Sequence, residues 1–563
     1  MRNSFVCFVI IFCAALLTAA SKPKGLGHDP QASAHLPGPA IGAMQKIDPE
    51  RIRAHVKFLS DDLLEGRGTG QRGGDIAAAY IATQFSLYGL KPAGDNGTYL
   101  QKVPLVGITP AAGTTFSIVP DHGPALDLKP LDEYVAYDQT QRAESNANAP
   151  IVYVGYGIDA PEYKWDDYKG VDVKGKVLLM LVNEPPSSDD KFFKGKALTY
   201  YGRWTYKYEE AARKGAVGVI LIHKTDMASY PWEVVRNSNS GEKSYLKAEG
   251  MPLLKVASWV QLDVAGKIAA MANMDITKMM FDARSVDFRP VELPVKLKAH
   301  MVSKIRPFQS NNVVAMLPGS DPKLKSEAVL YTAHYDHLGI RPDMPGDNIY
   351  NGAEDNATGC GVLLEIARAF SLSQEKPRRS ILFSAVTAEE QGLLGSDYLG
   401  KHPPIPAGKI TLDLNFDDIP ALGEPEEVEV SGVERTTFYP IVSALAKEFR
   451  LAIQPDSNPS AGYYYRSDHF SLAHVGIPAF SVSEGLKYKG HSQAWGLQQA
   501  EDYTTHRYHQ PSDEYRPDMN FIGDAAMARF GFAMGWKAAS LQNLIEWQHG
   551  DEFEAARVKS EGR

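Results

Sequence analysis

The stretch that most constrains this chain lies at residues 331–390. An apolar run, AVLYTA, ends in His334-Tyr335-Asp336, and a glycine-flanked acidic turn, NGAEDNATG, opens a helical pattern. A second apolar run, SILFSAV, leads into Glu389-Glu390. Unbroken apolar runs of this length predict strands covered on both faces, as in a parallel or mixed sheet. NVVAML, ITLDLNF and PAFSV repeat the pattern, alternating with helical segments at 361–370 and 438–449 and a last amphipathic helix at 521–547. The sequence therefore predicts an α/β fold with a mixed, largely parallel sheet flanked by helices. In open sheets of this kind, ligands collect at the carboxyl ends of the strands.

With 563 residues the chain exceeds one ordinary core, so two structural units are expected. Met1-Arg2-Asn3, an apolar run at 5–17 and Thr18-Ala19-Ala20 read as a secretory signal peptide over residues 1–20. The run is too short for a spanning helix. Residues 21–45, rich in Pro, Gly, Ala and Ser, read as a flexible leader. Cys7 and Cys13 leave with the signal, so Cys360 is alone and disulfides cannot staple the fold. It reads as a small buried residue at a helix start rather than a nucleophile. A net charge of −9 without a dense Lys/Arg run argues against nucleic acid or anionic membrane as the main partner. The expectation is an exported protein, periplasmic or extracellular, with no stable membrane span once the signal is removed.

Residues 46–115 carry two helical patterns and form the first part of the expected catalytic unit. Between them, GRGTGQRGG formally matches G-x-G-x-x-G, but the segment before it is polar and helical, so a glycine-rich turn explains it better than a dinucleotide site. Residues 116–290 change to short β-type runs separated by Gly, Pro, Asp and Lys turns and hold no ligand-spaced His/Asp/Glu cluster. Residues 291–550 return to the α/β pattern, and 551–563 read as a tail. The catalytic unit is thus discontinuous, with a β-rich insert looping out of it.

The strand ends and loops of the second part supply His334, Asp336, Glu389, Glu390, Asp417, Asp418, Asp468, His469 and His509. Two imidazoles and three carboxylates from separate loops can hold two divalent metals, one carboxylate bridging. Without thiolate the donor set suits zinc first, with manganese or cobalt possible. Neighbouring residues point in different directions, so one of Glu389-Glu390 can bind metal while the other stays free as a base. Each pair alone is more often structural or solvated, but an acidic pair directly after a buried strand is not expected to be a solvated face.

These residues resemble the co-catalytic di-zinc aminopeptidase family, whose relatives include glutamate carboxypeptidase II and the transferrin receptor. The resemblance is carried by His334-x-Asp336, Gly352-Ala-Glu-Asp355-Asn-Ala-Thr-Gly359, Ala388-Glu-Glu-x-Gly-Leu-x-Gly-Ser396, Asn415-Phe-Asp417, Arg466-Ser-Asp-His469 and His509-x-Pro-x-Asp513. WDDYKGVDVKGKVLLML and EEAARKGAVGVILI make the insert similar to a protease-associated domain. The resemblance implies a zinc-peptidase (phosphorylase/hydrolase-like) fold holding two zinc ions per chain. By it, Asp355 bridges, His334 and Asp417 complete one site, and Glu390 and His509 complete the other. Glu389 is then the general base, Asp336 accepts the second ring N–H of His334, the Asp355–Asn356 peptide is cis, and Tyr508 is a candidate for oxyanion stabilisation. Asp418 stands where the family often has an apolar residue, and the alternatives are that it supports a ligand, receives a substrate ammonium or is simply structural. His337, His402, His474, His491 and His506 match no ligand position and read as surface or packing histidines.

The expected activity is peptide-bond hydrolysis, most simply removal of N-terminal residues from a peptide substrate. Acidic groups near the motifs (Glu354, Asp418, Asp468) suit a free ammonium, whereas a glutamate-type carboxypeptidase needs arginines to clamp carboxylates, and Arg341 and Arg466 are the obvious ones nearby. A glutaminyl cyclase-like acyltransferase would use one metal. A receptor-like binding protein would have lost ligands, and here all are present.

Overall fold

The computed structural model describes residues 36–342, 344–456 and 459–563. The expected signal peptide and the first part of the leader lie outside the described residues. From residue 36 the chain is ordered into the core: α1 (Gly38–Met44) buries Ala40 and Ala43, so the leader expected over 21–45 is helical at its end. In α2 (Pro49–Leu59), Asp48 caps the first turn by accepting from the Glu50 N–H, with Pro49 at the first helical position where its missing N–H costs nothing. Its period-3.6 face of Ile52, Val56 and Leu59 is buried, and α3 (Arg72–Leu87) buries Ala77, Ala78, Ile81 and Phe85.

The main sheet is built on β1 (Leu100–Pro110), β2 (Val291–Leu317), β3 (Ala328–His334), β4 (Ser380–Val386), β5 (Ile410–Asn415), β6 (Glu427–Ser431) and β7 (Ala479–Glu484). Its spatial order is β6–β7–β5–β3–β4–β2–β1. The central four strands β7, β5, β3 and β4 run parallel, while β2 and β6 are antiparallel to their neighbours. This is the mixed, largely parallel sheet expected from the unbroken apolar runs. Every residue of β3, β4 and β5 is buried, because α4 (Gly359–Leu372) and α5 (Ile522–Ser540) cover the sheet and pack on one another.

Aromatic packing knits these layers. The rings of Tyr331 and Phe383 stack at 5.4 Å, Phe370 meets Tyr331 at 5.9 Å, and Phe370 packs on Phe532 at 4.3 Å. Such pairs add about 0.5–1.5 kcal/mol each beyond the area they bury. The Tyr331 hydroxyl donates to the Gly531 carbonyl at 2.9 Å. A Cβ on Gly535 would lie 1.7 Å from that hydroxyl, so the helix can approach the sheet only with glycine there.

The insert is a second sheet. Strands Glu144–Tyr153, Val177–Leu181, Gly218–His223 and Val256–Gln261 are parallel neighbours in that order, flanked by antiparallel strands. Its boundary is not at residue 290. Residues 291–302 of β2 pair with insert strands, 303–313 pair with β1, and 313–317 pair with β4, so one strand runs through both sheets. The expected tail also joins the body. In α6 (Glu554–Ser560), Arg557 is buried and donates to the carbonyls of Ile410 and Ile545, while Glu552 accepts from the Tyr200 N–H and the Tyr465 hydroxyl. Among the described residues no helix is long and apolar enough to cross a membrane.

Candidate metal centre

Parallel register brings the carboxyl ends of the central strands level. His334 lies opposite Val386, Thr332 opposite Asn415, and Asn415 opposite Ser481. The next residues out of β4 are Thr387 to Glu390, and those out of β5 are Phe416 to Asp418. Asp355 arrives from the other direction, in a widened turn (Ala353–Thr358) that opens α4, and the Asp355–Asn356 peptide is cis. Gly352 begins this turn with φ +59°, and a Cβ there would meet the Asp355 carbonyl at 2.2 Å and the His337 ring at 2.7 Å. Only glycine satisfies both demands.

Two clusters result, His334 with Asp355 and Asp417 and His337 with Asp355 and Glu390, so both contain Asp355. In the first, His334 Nε2 lies 3.2 Å from Asp355 Oδ1 and 3.0 Å from Asp417 Oδ1. His509 flanks the second, with Nε2 3.2 Å from Asp355 Oδ2 and 3.1 Å from Glu390 Oε2. His337, expected to be an ordinary surface or packing residue, is fully buried here, with Nδ1 2.6 Å from Glu390 Oε1 and 3.9 Å from Asp355 Oδ2. Donor atoms about 3 Å apart are what a tetrahedral ion with bonds near 2 Å requires. Both ring nitrogens of His337 and Glu390 Oε1 are buried without a well-directed hydrogen bond. Orphaned polar atoms of this kind are costly unless something fills the gap between them. The residues therefore fit a pair of divalent cations.

The side chains of the two clusters are oriented from behind. Asn415 Nδ2 donates to Ser467 Oγ at 2.8 Å, and that hydroxyl donates to Asp417 Oδ2 at 2.5 Å. Asp513 accepts from the backbone N–H groups of Glu354 and Asp355 at 3.0–3.2 Å, which fixes the turn carrying Asp355. Asp336 serves differently from its expected role. His334 Nδ1 meets the Asp336 backbone carbonyl at 3.1 Å, whereas the Asp336 carboxylate stands 3.9 Å away. That carboxylate instead accepts from the Thr69 hydroxyl at 2.7 Å and the Glu389 N–H at 3.1 Å. The reason is the close spacing: two residues after His334, the chain's own carbonyl reaches the ring before its side chain can. Outer groups such as these fix tautomer and ring angle.

Three non-glycine residues adopt positive φ beside the site: Ala388 (57°), Asp418 (49°) and His509 (56°). Such backbone costs of order 1–3 kcal/mol each and persists where the surroundings demand a particular side-chain direction. Charge is equally concentrated. Burial would depress the charged form of His334, yet the carboxylates of Asp417 and Glu389 hold its pKa well above the usual imidazole range. Burial, joined by the Glu390 and Asp417 carboxylates, pushes Glu389 well up. Asp418 is also pushed up by burial and by Asp355 and Asp417, and it accepts from the Tyr503 hydroxyl at 3.1 Å. Such crowding of carboxylates calls for cations.

Sequence reasoning passed over Arg67. Fully buried, it donates to the carbonyls of Tyr335 (2.7 Å), Leu59 (2.5 Å), Asn351 (2.5 Å) and Gly352 (2.9 Å). It thereby ties the loop after β3 to the turn before α4. The GRGTG turn holding it reads as a plain linker, and nothing in its composition reports the carbonyls it will meet. His337 did leave a signal, the His334-x-x-His337 spacing. Tyr508 stacks on the His509 ring at 4.0 Å and lines the same opening. That opening is a cavity of about 510 Å³ over the two clusters, whose wall also carries Glu354, Asp418, Glu429, Glu484, Arg466 and Arg507.

Two imidazole–carboxylate clusters sharing an aspartate, at the carboxyl edge of a parallel sheet, are the layout of a bimetallic centre in an α/β domain. Residues 312–531 match the model of Peptidase family M28. Leupeptin-inactivating enzyme 1 of Streptomyces exfoliatus is 28% identical over 253 residues, 43% of this chain and 51% of that protein. A probable zinc metalloprotease of Pyrenophora teres f. teres is 41% identical over 114 residues, 20% and 23% of the two chains. A probable leucine aminopeptidase 2 of Aspergillus oryzae is 28% identical over 214 residues, 36% and 39%. The chain thus spans about half the length of the first of these relatives and less of the others. Among solved structures, an aminopeptidase from Aneurinibacillus sp. strain AM-1 aligns at 18% identity over 90% of this chain and 97% of that one, with a TM-score of 0.48.

Proposed function

We propose that this chain is a zinc metallopeptidase that releases N-terminal residues from peptides. The carrying observation is the pair of clusters joined through Asp355 beneath an acid-lined cavity. In this reading Asp355, His334 and Asp417 hold one zinc, and Asp355, Glu390 and His509 hold the other. Bound zinc supplies Lewis-acid polarisation of a carbonyl and a water whose pKa is lowered toward ~7.

The chain's own residues do the rest. Glu389 is the carboxylate left free: its backbone N–H is held by Asp336, and it would take a proton from the attacking water and return it to the leaving amine. Tyr508, at the cavity wall beside His509, is placed to donate to a developing oxyanion. Glu354, Asp418, Glu429 and Glu484 line the cavity with carboxyl groups that burial holds toward the protonated form, and a substrate ammonium entering there would favour their charged form. Of the two arginines there, Arg507 lies 3.7 Å from Glu354 and 3.4 Å from Asp502, so its charge is already engaged.

Aminoacyl-anilides should be cleaved and the cleavage abolished by a chelator. Cleavage only of acyl peptides ending in glutamate would replace the aminopeptidase with a carboxypeptidase reading. Metal analysis should give two zinc per chain, and less than one would overturn the bimetallic reading. We further propose that the protein is exported, on the strength of residues 1–20, and that residues 116–290 are a protease-associated domain. Export predicts a mature N-terminus near residue 21, readable by N-terminal sequencing.

A further inference from the structure

We propose that His337 is a third imidazole ligand of the centre, completing the coordination of the Glu390–His509 cation. The proposal rests on the bimetallic reading above and adds to its ligand set.

Four observations carry it. First, the His337 side chain has no exposed surface, yet neither ring nitrogen makes a well-directed hydrogen bond. A buried imidazole left in that state loses the hydrogen bonds it had in water. Second, its Nδ1 lies 2.6 Å from Glu390 Oε1, and that oxygen is also buried and unpartnered. The two atoms are within hydrogen-bonding distance but misdirected for it. A third body toward which both lone pairs converge resolves the conflict.

Third, the position is shared. His509 occupies the other carboxylate oxygen of Glu390, at 3.1 Å from Oε2, and the same Asp355 Oδ2 faces both rings, at 3.2 Å from His509 and 3.9 Å from His337. The ring centroids of His337 and His509 are 5.8 Å apart and nearly perpendicular, so the two rings flank Asp355 and Glu390 without colliding. Fourth, the backbone is shaped to hold the ring there. The His337 N–H donates to the Arg67 carbonyl at 3.2 Å, and the missing side chain of Gly352 leaves the space that the ring fills. His334 and His337 therefore divide one short loop between two clusters, one imidazole to each.

The consequence is an asymmetric centre. The first cation has one imidazole and two carboxylates, and the second has two imidazoles and two carboxylates. Softer, nitrogen-richer coordination favours zinc over manganese at the second position.

X-ray absorption at the zinc edge of the full-length, two-zinc protein tests this directly. Outer-shell imidazole scattering should correspond to three histidines shared by two zincs, and should drop to two in His337→Asn. A chelator-competition titration should show the weaker zinc of His337→Asn released at least about 100-fold more readily, above the 10- to 100-fold loss typical of an outer-shell partner. A wild-type spectrum with only two imidazoles per two zincs overturns the proposal, even if the variant fails to fold. So does an unchanged spectrum in a folded variant. Failure of the bimetallic reading looks different: the wild-type protein would then hold fewer than two zincs at saturation.

Discussion

Replacing Arg67 by Met should weaken the fold by about 4 kcal/mol and loosen the metal centre with it. The guanidinium is buried and its four bonds reach the carbonyls of Leu59, Tyr335, Asn351 and Gly352. Gly352 keeps a second donor, the Ala357 N–H at 3.3 Å, so its loss is small. The other three carbonyls, at about 1.5 kcal/mol apiece for a buried unsatisfied acceptor, account for the estimate. Burial itself lowers the Arg67 pKa, opposed by Cys360, Asp355, Asp513 and Asp336, so removing the charge recovers some desolvation and keeps the figure from rising further. Arg67→Lys is the informative control. It retains the charge, but a single ammonium cannot span carbonyls arranged around a planar fork, so less than half the loss should be recovered. Urea unfolding followed by circular dichroism, with zinc retention measured in parallel, reads both effects. An Arg67→Met protein within about 1 kcal/mol of wild type, or a Lys variant equal to wild type, would refute the idea that this side chain clamps the two loops.

Glu389→Gln should retain both zincs while turnover falls by roughly 10²- to 10⁴-fold; near-normal hydrolysis of an aminoacyl-anilide removes Glu389 from the role of base. Asp513→Asn, which turns an acceptor of the Glu354 and Asp355 N–H groups into a partial donor, should weaken zinc retention about 10- to 100-fold, and unchanged competition titrations would count against it. His55 is buried with Nδ1 2.8 Å from the Tyr80 hydroxyl, and burial pushes its pKa down to about 4 despite the opposing pull of Glu365. Its folded pKa is below the unfolded value, so its contribution is complete above about pH 6.5 and is lost as pH falls toward 4, by at most about 3 kcal/mol. Urea midpoints at pH 7 and pH 5 should therefore converge in His55→Phe relative to wild type, and parallel lines would sink the assignment.

The strand ends were legible because buried strands force unbroken apolar runs, and an acidic pair such as Glu389-Glu390 directly after one has no solvent-facing explanation. Register then did what sequence could only suggest, setting side by side the strand ends from which His334, Glu390 and Asp417 emerge. Asp336 was misread in detail because choosing between a residue's carboxylate and its carbonyl takes less than 1 Å, and residue type holds no such information. β2 was read only in part. LPVKLKAHMV alternates cleanly, but SKIRPFQSN is polar and contains Pro307, so its continuation as a strand depends on β1 lying alongside, with Pro307 opposite Val106. Arg67 was invisible and His337 was signalled only by its spacing from His334, for a common reason: their surroundings are set by backbone atoms and rings that arrive from distant loops.

The uninterrupted run of β2 limits how the insert can be handled. A module hung on two flexible connectors could be excised or could swing as a lid. Here one connector is the ladder itself, bonded in turn to the insert strands, to β1 and to β4. Cutting out residues 116–290 would strip the partners from residues 291–302 and leave a bare, alternating edge, which is a template for association between chains. Any force applied to the insert would likewise travel along a covalent strand into the sheet that carries Glu389 and Glu390, so in mechanical terms the insert is a cantilever rather than a door.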